Sequence, residues 1–269
     1  MSFVDEELRL RLDRSGYDRP GFAADFDRFR PQPPSVLIEL LPLLAGGGRP
    51  KLVVDLGSGT GLSTRLWVNA ADEVVGLEPN EVMRRFAEGA SKARNVRYLG
   101  GSAYATELPD ASADIVTAAQ SLQWMRPKDL FEEVARILRP GGVFCACNYF
   151  VFQTPVWEAA TAFDFVQKRK KELRLRLGLD DVESAPPSID WLKGSGVFRE
   201  CRELVVHSVE EGDGERLVGF AFSEGSMRTL LDAGASETEV GLDRLRAAAD
   251  AMPQPVPWWI GYRVWIGRK

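Results

Sequence analysis

Three glycines at every second position, Gly57, Gly59 and Gly61, follow a β-branched apolar run that ends in an acid, Val53-Val54-Asp55-Leu56. A buried strand that breaks in this way must turn sharply into a helix. Glycines carry no Cβ and take positive φ freely, so a ligand can lie against the backbone N–H groups where the helix begins. With Ser58, the loop reads as a nucleotide cradle. Its spacing is Gly-x-Gly-x-Gly, and Leu62 stands where a nicotinamide-dinucleotide fingerprint has its third glycine. The shorter turn leaves less room for a pyrophosphate. Residues 73–79 read as a second buried strand ending in Glu78, a carboxylate placed to accept hydrogen bonds from two ribose hydroxyls. The ligand expected is therefore a nucleoside.

Together these residues resemble motif I and the following acidic motif of the class I S-adenosylmethionine (SAM)-dependent methyltransferases. The resemblance implies SAM as the cofactor. It sets Gly57, Ser58, Gly59 and Gly61 against the methionine part, Glu78 against the ribose, and Met83, Ser102 and Ala103 beside the adenine. Gln120 and Leu122 would lie under the methionine chain near the sulfonium, with Asp55 and Pro79 completing the cofactor set. Residues 26–31, Phe-Asp-Arg-Phe-Arg-Pro, resemble the entry segment that closes over SAM in many small-molecule methyltransferases. That likeness turns Arg30 toward the SAM carboxylate and Phe26 toward the substrate.

Ser102-Ala103 and the run 118–124, Ala-Ala-Gln-Ser-Leu-Gln-Trp, are similar to a subset typified by the trans-aconitate and juvenile hormone acid methyltransferases. This chain has Tyr104 where that subset has Glu, and Gln123 where it commonly has His. A carboxamide orients a ligand but takes no proton at neutral pH, so no general base is assigned. Trp124 is a wall of the substrate pocket or an anchor for the next helix; Tyr149 is likewise a pocket residue or a structural one. Arg139-Pro140-Gly141-Gly142 is a further turn of the family type.

The elements that position these residues alternate. Strands are expected at 53–56, 74–78, 96–99, 114–117 and 143–147, with helices at 34–44, 62–70, 81–93 and 127–138 between them. Alternation of this kind argues for a doubly wound, seven-stranded, mostly parallel α/β sheet with ligand at the C-terminal strand ends. A Rossmann-like sheet of this family has its last strand antiparallel, here 258–266 returning beside a sixth strand at 197–208. The whole of 1–269 is read as one methyltransferase domain. Residues 1–45 form lid helices, with 151–195 and 212–252 as helical caps. Within the caps, helices are expected at 155–177, 189–195, 215–222, 227–232 and 237–251. Arg228 is a candidate for an anionic substrate group, with simple exposure as its alternative. The basic run between Lys168 and Arg176 is read as a solvated face, and His207, the single histidine, as structural.

A net charge of -5 speaks against a general nucleic-acid binder. The three cysteines suit reduced thiols and a cytoplasmic protein, and neither a signal segment nor a membrane-spanning run stands out. No metal-ligand pattern is read. The function expected is methyl transfer to a small-molecule acceptor, a carboxylate or hydroxyl oxygen among the candidates. The rivals are an NAD(P)-dependent oxidoreductase and a non-catalytic SAM-binding module. The oligomeric state is not legible.

Overall fold

The computed structural model describes residues 16–179, 186–253 and 255–269. Seven strands form one sheet: β1 (Leu52–Leu56), β2 (Glu73–Leu77), β3 (Val96–Leu99), β4 (Ala113–Ala119), β5 (Leu138–Gln153), β6 (Glu200–Gly212) and β7 (Val256–Arg268). Across the sheet they lie in the order β3-β2-β1-β4-β5-β7-β6. The first five pair parallel, and β7 runs antiparallel to both β5 and β6. This is the doubly wound, mostly parallel sheet that the alternation predicts. The order reverses between β1 and β4, which opens a crevice beyond their C-terminal ends.

Both faces of β1 are covered, and its side chains divide between them with a period of two. Val54 and Leu56 enter a core with Leu130, Phe131, Val134 and Ile137 of α5 (Pro127–Ile137). Val53 enters the opposite core with Leu37 and Leu41 of α2 (Leu37–Leu44). The short α3 (Leu62–Leu66) follows β1, and α4 (Glu81–Ala90) follows β2. Cys145 and Cys147 share the α2 side of β5 as buried free thiols.

A separate apolar cluster builds the cap. Phe163, Val166 and Leu173 of α6 (Trp157–Arg176) pack with Leu217 and Phe220 of α8 (Gly214–Phe222) and Met227 of α9 (Gly225–Asp232). Leu245 of α11 (Leu242–Asp250) and Trp258 of β7 close the same cluster. The sequence predicts one helix over 237–251; the structure breaks it into α10 (Glu237–Val240) and α11 at Gly241, whose φ is +88°. A Cβ there would lie 2.5 Å from the Phe165 ring, so packing of α6 forces the break. Between β5 and β6, α7 (Ile189–Gly194) buries Leu192 in the α5 core.

Of the lid segment, α1 (Phe22–Phe29) is described, while residues 1–15 lie outside the described set, as does 180–185 of the loop before α7. Phe22 packs with Met83 of α4, and the Phe29 ring sits so close to Gly219 that a Cβ would meet it at 2.4 Å. Through Phe22 and Phe29, α1 therefore joins the sheet's first half to the cap. Other bounds shift with their caps. The first helix begins at Leu37, beyond Pro34, and α3 stops four residues short of 70. The fifth strand extends through Gln153 with a register shift between Tyr149 and Val151.

The turn after β1 has two positions where no side chain fits, Gly57 and Gly61. Gly61 has φ +86°, and a Cβ would lie 2.3 Å from the Tyr98 hydroxyl. Gly61→Ala is expected to lower stability by about 2 kcal/mol through strain and overpacking. Urea unfolding of both chains measures it, with a midpoint equal to the parent's as the contrary result.

Candidate functional site

A cavity of about 620 Å³ opens at the C-terminal ends of the strands, under α1 and the cap. Gly57, Ser58 and Gly59 floor it, Glu78, Pro79, Met83 and Ala103 line one side, and Gln120 and Trp124 line another. Phe26, Arg30 and Tyr149 line it as well. The remaining sequence-predicted residues lie elsewhere. Asp55 is wholly buried beneath the loop, and Leu122 is wholly buried in the core with α5. Gly61 sits behind the loop against Tyr98, and the Ser102 hydroxyl accepts from the Tyr104 N–H at 3.2 Å. Arg228 pairs with Asp25 at 3.3 Å and donates to the Phe222 carbonyl, outside the cavity wall.

The loop is held from below and beside. Asp55 accepts from the hydroxyls of Ser63, Thr64 at 2.7 Å and Thr117 at 2.8 Å, which ties β1 to α3 and β4. Burial pushes its carboxyl up in pKa against these three donors. The N–H groups of Gly57 and Ser58 both donate to the Leu77 carbonyl, at 2.8 and 3.0 Å, which fixes the corner to the end of β2. A Cβ on Gly57 would stand 2.7 Å from that of Ser121, whereas at Gly59 the nearest atom would be 3.7 Å away.

Glu78 is 7% exposed and faces this loop. Its two carboxylate oxygens accept the N–H groups of Gly59 and Asn80, each at 2.8 Å. Burial dominates those donors and pushes the carboxyl pKa up to about 7. Asn80 caps α4 by accepting from the Met83 N–H at 3.0 Å, so Glu78 and Met83 are set by one turn.

At the end of β4, Gln120 has φ +56°, a strained value for a residue with a side chain. Its N–H donates to the Cys147 carbonyl, and its Nε2 is buried without a partner. Thr60 Oγ1 and Ser58 Oγ are similarly orphaned in residues of the cavity wall. Gln123 is fully engaged: Nε2 donates to the Gln120 carbonyl at 2.7 Å, and Oε1 accepts from Asn148 at 3.0 Å. Its carboxamide braces the strained turn.

Several wall residues carry no signal in the sequence motifs. Tyr17 stacks on Phe22 with centroids 5.2 Å apart and meets Trp124 edge-on at 6.1 Å. Burial pushes its phenol up to about 12, with Arg30, Tyr149, Glu78 and Glu224 all acting on it, so it stands between the two ends of the cavity. Tyr104 accepts from the Arg126 N–H at 2.9 Å and lies under that guanidinium. Glu224, at the start of α9, accepts from Lys170 and from Gln167 at 3.2 Å. Nothing local in the sequence marks Glu224; only the folded cap brings it to the strand ends. Arg174, from the basic run, lines the cavity with its guanidinium on Thr229 at 2.7 Å and on backbone carbonyls.

The fold is the Rossmann-like α/β type shared by methyltransferases, and its glycine loop and Glu78 open on one cavity. Residues 54–146, from β1 into β5, match the family model described as a methyltransferase domain. An uncharacterized methyltransferase of Mycobacterium bovis is 38% identical over 118 residues, 44% of this chain and 46% of that protein. The malonyl-[acyl-carrier protein] O-methyltransferase of a Marinomonas species is 30% identical over 154 residues, 55% of this chain and 51% of that protein. The chain thus spans about half the length of these curated relatives. A solved candidate type II methyltransferase from Anaeromyxobacter dehalogenans shares the fold with a TM-score of 0.65 at 23% identity, covering 89% of this chain and 98% of that one. The family match is confined to residues 54–146, and a SAM-dependent methyltransferase is what these comparisons support. No helix among the described residues is long and apolar enough to cross a membrane.

The raised carboxyl of Glu78 has a stability signature. Between its ordinary value of 4.5 and about 7 the folded chain keeps a proton that the unfolded chain has released. Stability from this group therefore falls as pH rises through that window, by roughly 1–3 kcal/mol in all. Unfolding curves from pH 4.5 to 7.5 are expected to slope downward more steeply for the parent than for Glu78→Gln; equal slopes would show an ordinary carboxyl.

Proposed function

We propose that the chain is a SAM-dependent methyltransferase that transfers a methyl group to an oxygen of a small-molecule acceptor by in-line displacement. The observation that carries this reading is the junction of Gly59 and Glu78, where a buried carboxylate is fastened to a glycine loop open to the cavity. The residues fit the cofactor. Gly59 leaves space where a side chain would stand, and Thr60 and Gln120 offer orphaned polar atoms beside it. When bound, SAM supplies an electrophilic methyl on a cationic sulfur that leaves as a neutral thioether.

In this reading Gly57, Ser58 and Gly59 bind the methionine part through the backbone, with Asp55 and Gly61 holding the loop from behind. Glu78 accepts from the ribose hydroxyls next to Pro79; Met83 and Ala103 flank the adenine, near Ser102. Gln120, above Leu122, orients the sulfonium end. Phe26, Trp124 and Tyr149 wall the acceptor and exclude water. Holding the two reactants in line supplies much of the acceleration, about 7–11 kcal/mol in favourable cases. The committed carboxamide of Gln123 agrees with a reaction that needs no proton acceptor at that place.

The Marinomonas relative, named as an O-methyltransferase of a malonyl group, supports an oxygen acceptor. Ser102-Ala103 and Gln123-Trp124 support membership of the trans-aconitate and juvenile hormone acid methyltransferase-like subset. The whole of 1–269 then acts as one domain, with 1–45 as lid and 151–195 and 212–252 as caps. An acidic net charge of -5 supports a cytoplasmic enzyme that does not act on nucleic acid.

Each hydrogen bond to the charged carboxylate is worth about 1.5–3 kcal/mol, so losing the ribose pair weakens binding roughly a hundredfold or more. Calorimetry of S-adenosylhomocysteine with the parent and with Glu78→Ala tests this, and an unchanged affinity removes Glu78 from the site. Tritiated-methyl transfer from SAM into a metabolite extract tests the activity, where absence of any labelled product would favour a binding module.

A further inference from the structure

The sheet ends on an open edge. β6 is last in the strand order, so the side of its backbone turned away from β7 has no strand partner. Among the described residues one hydrogen bond from outside the sheet reaches that backbone, from the Arg216 guanidinium to the Glu211 carbonyl near its end. Soluble proteins commonly guard such an edge by shortness, a bulge, a proline or a lysine. β6 has none of these: it is 13 residues long, keeps one register with β7 throughout, and contains neither Pro nor Lys. Its centre, Leu204-Val205-Val206-His207-Ser208-Val209, holds no Asp, Glu, Lys or Arg.

The face beside this edge is apolar as well. Of the described β6 residues, Cys201 alone packs on the core with α5. Beyond it, Val205 and Val209 are 64% and 55% exposed, and Trp259, opposite Val209 on β7, is 43% exposed. Val151 and Phe150 of β5 lie against Gly261, which stands opposite His207. An uncharged strand edge bordered by such a patch is built to take another strand.

Charge selects the strand. Lys193, Arg199 and Arg202 are exposed at the start of β6, and the Lys193 charge acts on the Cys201 thiol. The acids at this end are occupied, Glu200 opposite Arg268 and Glu203 on the Trp265 indole and Arg263. Glu210 and Glu211 close the strand, and Asp213 follows. Among the described residues neither Arg202 nor Glu211 has an ion pair within the chain. An antiparallel β6 from a second copy brings the acidic end to the basic one at both places. With a two-fold axis at Val206, Arg202 faces the partner's Glu210, Cys201 and Lys193 face the partner's Glu211, and Val205 faces the partner's His207. Moving the axis to His207 sets Glu203 against the partner's Glu211, and moving it to Val205 sets Glu200 against the partner's Glu210. Like charges thus reject both neighbouring registers.

We propose that two copies of this chain pair through β6, antiparallel about a two-fold axis at Val206, so that their two sheets become one continuous sheet. The axis keeps corresponding faces on one side, which lays the patches around Val205, Val209 and Trp259 next to each other across the join. β6 gives no residue to the cavity wall, so the pairing stands apart from the methyltransferase reading.

Sedimentation velocity of the full chain is expected to show a species of twice 29.8 kDa, and a monomer at the highest concentration reached overturns the proposal without recourse to any variant. Arg202→Glu sets acid against acid twice and is expected to weaken the dimer roughly tenfold; an unchanged dimer affinity overturns the pairing. Cysteines placed in a Cys201→Ser chain read the register. At the axis two Val206→Cys side chains come within about 5.5 Å, which a disulfide can close. Two Val209→Cys side chains, each three residues from the axis, stay about 20 Å apart. Mild oxidation is therefore expected to link Val206→Cys chains and to leave Val209→Cys chains single. A dimer that links at position 209 and not at 206, or at neither, pairs through another surface or register and overturns the proposal.

Discussion

A carboxylate buried without a cation governs the architecture of the site. Asp55 has no charged partner among the described residues, yet three hydroxyls, from Ser63, Thr64 and Thr117, surround it. Those donors come from the helix after the loop and from the neighbouring strand, so one side chain fixes the curvature of the corner. Such a group is costly to bury, and the hydroxyls offset that cost only in this arrangement. The glycine backbone above it is thereby held away from collapse, leaving room for a ligand. Glu78 repeats the device one strand over, with backbone N–H groups as the donors. Two acids, both pushed upward in pKa by burial, bracket the place where backbone meets ligand.

The other half of the cavity depends on a different constraint. Antiparallel return of β7 beside β5 and β6 ends the parallel sheet and frees the chain to build a helical cap over the strand ends. Phe29 of α1 presses against Gly219 of α8, and Tyr262 of β7 donates from its hydroxyl to the Gln32 carbonyl at 2.6 Å. Residues 29–32 thus meet both the cap and the final strand. This part of the cavity wall is therefore assembled from segments far apart in the chain, each held by packing in place of a local motif.

That division explains what could be read from sequence. The cofactor corner is written locally: strand, glycine loop, helix, strand and acid fall within residues 53–78, and each residue type is dictated by backbone geometry at its own position. Gly57, Gly59 and Glu78 of this pattern line the cavity, whereas Gly61, read with them from the sequence, lies behind the loop against Tyr98. Glu224 and Tyr17 were not legible in this way, because nothing in their neighbours requires them to face a cavity; the fold of distant helices does. Arg174 reads as solvated within a basic run, but Thr229 and the carbonyls of Ser226 and Leu179 turn it inward. Arg228, by contrast, is drawn off by Asp25. At the helix break, Gly241 takes a positive φ, and its missing Cβ leaves room for the Phe165 ring of a distant helix.

Charge in a dry cavity bears on the chemistry as much as shape does. A sulfonium cation approaching a nucleophilic oxygen passes to products with less separated charge, so a poorly hydrated enclosure disfavours the reactants more than the transition state. The walls here are suited to that. Tyr17, Phe26 and Trp124 put aromatic rings in the wall, and the Phe26 ring carries the Arg30 guanidinium 4.9 Å from its centroid. Glu78 is held by backbone N–H groups in place of a cation, and burial pushes its pKa up to about 7. Among the described residues of this wall, Arg30 has a buried Nε without a partner, and its desolvation is offset in part by the Tyr149 hydroxyl, the Ser223 carbonyl and the Phe26 ring.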